Sequence, residues 1–220
     1  MKLRFFGHAC VLLEAENGCR VIFDPFQPAA FGGRIALEPF RGPVDAVVSS
    51  HRHLDHYHID PSFGSPILVE GPGQVRGVAF SCIQIPHGRP GGVDHGMVTV
   101  FRATADGVRV VHLGDAGRAP TQSEMDELGR PDVLLAPVGG RFTMGPAEAA
   151  KMVRAWGPRI VVPIHYADPL VRIDLEPLES FLVLMGGHEE VEGGFDVLAA
   201  DDSTATRTVV VRVLQPRRHT

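Results

Sequence analysis

The chain has 220 residues and a net charge of −5, with 21 Lys and Arg against 26 Asp and Glu. That length suffices to bury one sizeable core, so residues 1–220 are expected to form a single domain, with two small ones as the alternative. The acidic balance argues against a nucleic-acid partner, because phosphate binding asks for a basic face, and leaves a small molecule as the expected partner. Apolar runs are strand-sized, too short to span a membrane. The segment Met1-Lys2-Leu3-Arg4-Phe5-Phe6-Gly7-His8 is too short and polar for a signal peptide. Three cysteines, Cys10, Cys19 and Cys82, show no Cys-x-x-Cys spacing. They point to a reducing compartment, by default the cytoplasm, and to no thiolate metal site. The oligomeric state is not legible.

Strand-like runs fill the first half, at 2–6, 10–15, 19–24, 45–49, 66–70, 78–85, 97–103 and 108–113. Asn17-Gly18 and Asp106-Gly107 tolerate positive φ and join pairs of them as hairpins. The stretch 25–43 is long for a connector. It carries Phe26, Phe31, Arg34 and Phe40, and either lines a pocket as a lid or tucks its own aromatics away.

Helix and strand then alternate. Thr121-x-x-Glu124 is a capping box that opens a helix to about Leu128. A buried strand is expected at 132–136. Pro146 suits a first helical position, and Ala149, Met152, Val153 and Trp156 follow on one face until Gly157-Pro158. Further elements are a strand at 159–164, a helix at 174–185 stopped by Gly186-Gly187, and a strand at 208–214. Hairpins first and βα units later suggest two stacked sheets with helices outside.

The chemistry gathers at strand ends. After the apolar run 44–50 come His51-Arg52-His53-Leu54-Asp55-His56, four potential ligands in six positions. His87, Asp115 and His165 each follow another apolar strand. Imidazole and carboxylate bind Zn²⁺ well, and one ion takes about four ligands, so seven groups imply two ions about 3.5–4 Å apart. A bridging carboxylate and hydroxide would complete such a pair, whose chemistry is metal-assisted hydrolysis. His95 and His112 rival His87, although His112, three residues before Asp115, better suits a supporting hydrogen bond. His8 follows a strand and belongs near the metals. Arg34, Arg89 and Arg141 lie in loops beside the ligand segments and are candidates to bind an anionic group. Tyr166 either donates to an oxyanion or packs on the sheet.

The order His51-x-His53-x-Asp55-His56, His87, Asp115, His165 resembles the metallo-β-lactamase superfamily. Gly7-His8-Ala9-Cys10, Ile22-Phe23-Asp24-Pro25, His112-Leu113-Gly114-Asp115, Pro137-Val138-Gly139-Gly140-Arg141-Phe142-Thr143 and Pro163-Ile164-His165-Tyr166 are similar to one branch of small hydrolases. Ascorbate-6-phosphate lactonase and N-acylphosphatidylethanolamine phospholipase D belong to that branch. The resemblance implies a four-layer αββα sandwich of two mixed sheets. It assigns His51, His53 and His87 to one metal and Asp55, His56 and His165 to the other, with Asp115 bridging. Asp55, Asp115 and His165 become the catalytic set, and His8, His112, Arg141 and Tyr166 lie around them. Zinc is the expected ion, manganese and iron being alternatives. Di-iron flavoprotein relatives carry Glu where this chain has His53, which favours hydrolysis over redox chemistry. The resemblance also implies that no extra domain of the glyoxalase II or nuclease kind is present. The expected activity is di-metal hydrolysis of an ester-type substrate, a lactone or a phosphodiester, with an anionic group conceivable. A metal-binding module without turnover and an RNA-processing nuclease are the alternatives.

Overall fold

The computed structural model describes residues 1–88, 95–197 and 209–215. Its strands form two mixed sheets. The first half supplies β1 (Lys2–Gly7), β2 (Cys10–Glu14), β3 (Arg20–Phe23), β4 (Ala46–Val48) and β5 (Ile67–Val69). β6 (Gly73–Val75), β7 (Val78–Pro86), β8 (Met97–Ala105) and β9 (Val108–His112) follow. Helix α1 (Gln122–Leu128), β10 (Val133–Pro137), α2 (Pro146–Trp156), β11 (Ile160–Ile164) and α3 (Leu178–Met185) alternate after that. The chain finishes with β12 (Glu189–Glu192), β13 (Phe195–Asp196) and β14 (Val210–Gln215).

One sheet runs β13-β1-β2-β3-β4-β5, and the other β12-β14-β11-β10-β9-β8-β7-β6. Both hairpin signals sit where the sequence puts them, joining β2 to β3 and β8 to β9 as antiparallel pairs. At the second, Asp106 and Gly107 both adopt positive φ, 53° and 71°, the twist that a two-residue hairpin turn needs.

Period-two alternation divides the side chains between two cores. On β10, Val133 and Leu135 face the other sheet, while Leu134 and Ala136 face the helices. On β11, Ile160, Val162 and Ile164 face inward and Val161 outward. Strands buried on both faces read as unbroken apolar runs, as these do. Ala149, Met152, Val153 and Trp156 of α2 cover the second sheet with Phe181 of α3. The outer face of the first sheet is covered mainly by irregular chain: Phe26, Ile35 and Phe40, with Phe63, Val171 and Leu175.

Some elements differ from expectation. The last helix starts at Leu178, not 174. Pro177 disfavours helical backbone at Glu176, whose N–H instead donates to the Gly139 carbonyl at 2.7 Å. The short strands β6, β12 and β13 carry too little apolar pattern to announce themselves. Of the last expected strand, Thr208 lies outside the described residues.

β7, β9, β10 and β11 all point the same way, since β7 and β9 are each antiparallel to β8 and the others run parallel. Their C-terminal ends therefore share one edge of the sandwich. His87, Asp115 and His165 follow β7, β9 and β11 at that edge, and the segment after β4 meets them there.

Candidate metal centre

The turn after β4 is held from inside. Ser49 Oγ donates to the carbonyls of His51 and His56, at 2.7 and 3.0 Å. The N–H groups of His56 and Tyr57 close back onto the His53 carbonyl, at 3.0 and 2.8 Å. This coil directs His51, His53, Asp55 and His56 toward the residues delivered by β7, β9 and β11.

Asp115 lies at the focus. Its Oδ2 stands 3.9 Å from His51 Nε2, 3.8 Å from His87 Nε2 and 3.3 Å from His165 Nε2. Its Oδ1 stands 3.2 Å from His56 Nε2. Two groups of donor atoms flank it, each within 4.8 Å internally: His51, His53 and His87, and then His8, Asp55, His56 and His165. All seven sequence candidates thus meet.

Several polar atoms here are buried and lack a hydrogen-bond partner: Asp55 Oδ1, His56 Nε2, His87 Nδ1, Asp115 Oδ1, His165 Nδ1 and His8 Nδ1. Stranding that many polar atoms costs a few kcal/mol each unless something else satisfies them. A divalent cation would satisfy His56 Nε2 and Asp115 Oδ1, which face each other at the centre of the cluster, and an all-nitrogen-and-oxygen donor set suits zinc. The residues fit a divalent metal ion.

Burial tunes the imidazoles for that task. Desolvation, helped by His56, lowers the pKa of His51 to about 3. Desolvation and His165 lower that of His8 to about 4, and desolvation also lowers His87. These rings stay neutral and keep a lone pair to donate. His56 goes the other way: burial opposes its charge, but Asp115, Asp55 and Asp24 together outweigh burial and raise its pKa well above the usual value. Asp115 is buried too, yet His165 and His56 hold it well below the carboxylate range.

One functional residue was not singled out from sequence. Asp24, 1% exposed, accepts hydrogen bonds from Ser50 N at 2.6 Å and Ser50 Oγ at 2.8 Å. It also lies 2.8 Å from His56 Nδ1. Asp24 follows β3 and precedes a proline; it stands in the Ile22-Phe23-Asp24-Pro25 motif that carries the resemblance, which gave it no role of its own.

The supporting candidates divide. His8 Nε2 lies 3.0 Å from Asp55 Oδ2, and the His8 carbonyl accepts from His165 N at 2.8 Å. His112 Nε2 donates to the Ala9 carbonyl at 2.9 Å, and its Nδ1 accepts from Gly114 N; it braces two loops. His95 packs beside His87, with ring centroids 5.0 Å apart. Tyr166 packs against the helix-facing core, and burial raises its pKa, so it lies away from the cleft as a neutral packing group. Arg141 pairs with Asp174 at 2.9 Å on the surface and does not line the cleft. Arg89 lies outside the described residues.

The backbone is strained here. His8, Asp24 and His165 adopt φ of 55°, 42° and 51°, a region that non-glycine residues enter at a cost of roughly 1–2 kcal/mol each. Such strain collects at functional sites.

Comparison with known proteins agrees with this geometry. A family model described as the Beta-lactamase superfamily domain matches residues 2–165. A UPF0173 metal-dependent hydrolase of Methanospirillum hungatei is 34% identical over 191 residues, covering 76% of this chain and 83% of the relative. One from Thermococcus onnurineus is 34% identical over 223 residues, covering 87% and 95%. A Thermotoga maritima structure described as a Zn-dependent hydrolase of the metallo-β-lactamase superfamily superposes with a TM-score of 0.75 at 31% identity, covering 97% of this chain and 99% of that one. Igni18, a metallo hydrolase of Ignicoccus hospitalis KIN4/I, shares the fold at 22% identity and a TM-score of 0.62, over 99% and 96% of the two chains. The fold and site define a metal-dependent hydrolase. The chain belongs to the metallo-β-lactamase superfamily, among its UPF0173 metal-dependent hydrolases.

Proposed function

We propose that this chain hydrolyses an ester-type bond, in a lactone or a phosphodiester, at a centre of two zinc ions. His51, His53 and His87 would hold one ion and Asp55, His56 and His165 the other, with Asp115 shared. The observation that carries this reading is the position of the Asp115 carboxylate, which faces imidazoles of both groups at 3.2 to 3.9 Å. When bound, such a pair supplies Lewis acidity toward the scissile carbonyl or phosphoryl and a water acidified toward neutral pH.

The side chains prepare the rest. Asp115 orients the two halves relative to each other. His8 donates from Nε2 to Asp55 Oδ2 and leaves Oδ1 without a partner. Asp55 Oδ1 is the atom we assign to hold the proton released in hydrolysis before it reaches the leaving oxygen. His165 lines the cleft floor beside Asp55 and Asp115.

We treat residues 1–220 as one hydrolase domain acting on a small molecule. The three free cysteines, two of them buried, support a reducing compartment and hence the cytoplasm. Among the described residues no helix is long and apolar enough to cross a membrane.

The test is an assay of zinc-loaded protein on bis(p-nitrophenyl) phosphate, γ-butyrolactone and a simple thioester. Turnover of an ester that disappears with His51→Ala and with Asp115→Ala is expected. Full zinc binding with no turnover of any of the three would overturn the reading in favour of a metal-binding module.

A further inference from the structure

The metal-facing residues form the floor of a cleft with a volume of about 440 Å³. Its walls above that floor include Phe31, Arg34, Leu54, His95, Phe142 and Ile173. Three of these are among the chain's exposed large apolar side chains: Phe31 at 41%, Leu54 at 45% and Phe142 at 36%. Scattered apolar residues on a surface need no explanation, but several meeting at one mouth mark a binding surface.

Phe31 is presented at a cost. Its backbone is left-handed, φ 54° and ψ 42°, a conformation a bulky residue avoids. The same segment buries Phe26 and Phe40, at 1% and 6% exposure, so it has room to hide aromatics and nonetheless turns this one outward. The segment is also fixed in place. Arg34 N donates to the Ala30 carbonyl at 3.1 Å, the Arg34 carbonyl accepts from Arg172 N at 2.7 Å, and Ile35 bridges to Val171.

Arg34 differs from the other arginines nearby. Arg52, on the same cleft, pairs with Glu70 and lies over the Tyr57 ring, and Arg141 pairs with Asp174. Among the described residues, no acceptor meets the guanidinium of Arg34. A planar cation left unpaired at the rim of an apolar cleft is suited to a carboxylate or phosphate.

We infer that the substrate is an amphiphilic ester: an apolar acyl portion that packs on Phe31, Leu54 and Phe142, bearing at a distance from the scissile bond an anionic group that Arg34 binds. This rests on the hydrolase reading and narrows its substrate class. The reaction is hydrolysis at the acyl carbon. The bond to the alcohol oxygen breaks and one to the water oxygen forms. One water proton goes to the departing alcohol and the other to solvent, leaving a carboxylate.

Zinc-loaded protein is assayed on p-nitrophenyl acetate, butanoate and octanoate, and on the mono-p-nitrophenyl esters of succinate, adipate and suberate. Between acetate and octanoate kcat/KM is expected to rise at least tenfold, and the best half-ester should exceed its neutral counterpart at least tenfold again. Phe31→Ala and Phe142→Ala should flatten the chain-length dependence. Arg34→Ala should bring the ratio of half-ester to neutral ester to about one, and Arg34→Lys should restore part of it. Unchanged zinc content and melting temperature in each variant check the fold. Turnover indifferent to chain length and charge overturns this inference and leaves the hydrolase reading standing. If no ester turns over, calorimetric titration with octanoate and suberate decides. Tighter suberate binding lost in Arg34→Ala supports the recognition argued here, and equal binding overturns it.

Discussion

Asp24 and His56 share a hydrogen bond of 2.8 Å between Oδ2 and Nδ1, and it fixes the orientation of the ring. An ionised carboxylate only accepts, so Nδ1 donates to it, and Nε2 faces Asp115. Asp24 is kept ionised against burial chiefly by His56 and His112. The same carboxylate reaches His51 in two steps. Ser50 Oγ must donate to Asp24, at 2.8 Å, and therefore accepts from His51 Nδ1, at 2.9 Å. One buried residue thereby aims an imidazole in each half of the centre.

Asp24→Ala should therefore weaken zinc binding in both halves, by about 10–100-fold, the usual effect of removing a partner that orients a ligand. Competition with a chromophoric chelator measures it. Loss confined to one ion would contradict the two-way relay.

Gly139 lets the β11 end approach. A Cβ there would stand 2.2 Å from the His165 carbonyl oxygen, which is backbone with no freedom to swing away. Gly139→Ala should destabilise the fold by about 2–3 kcal/mol and lower zinc content by displacing His165. Urea unfolding followed by circular dichroism checks the first effect and emission spectrometry the second.

Glu124 offers a pH test away from the metals. Two hydrogen bonds from Arg118, at 2.7 and 2.8 Å, with the Thr121 capping bonds, depress its pKa from 4.5 to about 2. A depressed carboxyl stabilises the fold above its unfolded pKa and loses that contribution as pH falls through its folded one. Glu124→Ala should cost about 1 kcal/mol at pH 7, a modest figure because the pair is partly exposed. The gap to wild type should narrow between pH 4.5 and 2. A gap constant with pH would mean that charge plays no part.

Much of this was legible in the sequence because the signals were local. The capping box at Thr121 and Glu124 forms as its spacing predicts, and the four apolar residues read on one face of α2 are buried together against a sheet. The strand-end positions of His51, His87, Asp115 and His165 sufficed to suggest convergence, since parallel strands deliver their ends to one edge. What stayed hidden depends on contacts distant in sequence. Asp24 meets Ser50 and His56 only after β3 and β4 pair. The left-handed turn at Phe31, which no local pattern announces, decides that Phe31 is exposed while Phe40 is buried. Arg141 reads as a free loop cation until Asp174 comes beside it, and Tyr166 as a donor until the helices close over it.

The central claim is that Asp115 joins two ion sites. Zinc counted per chain by plasma emission spectrometry, after saturation and removal of the excess, tests it most directly. The account predicts two ions per wild-type chain and at most one in Asp115→Ala. Saturation of the wild type at one ion, or two ions retained with unchanged affinity in the variant, would contradict it.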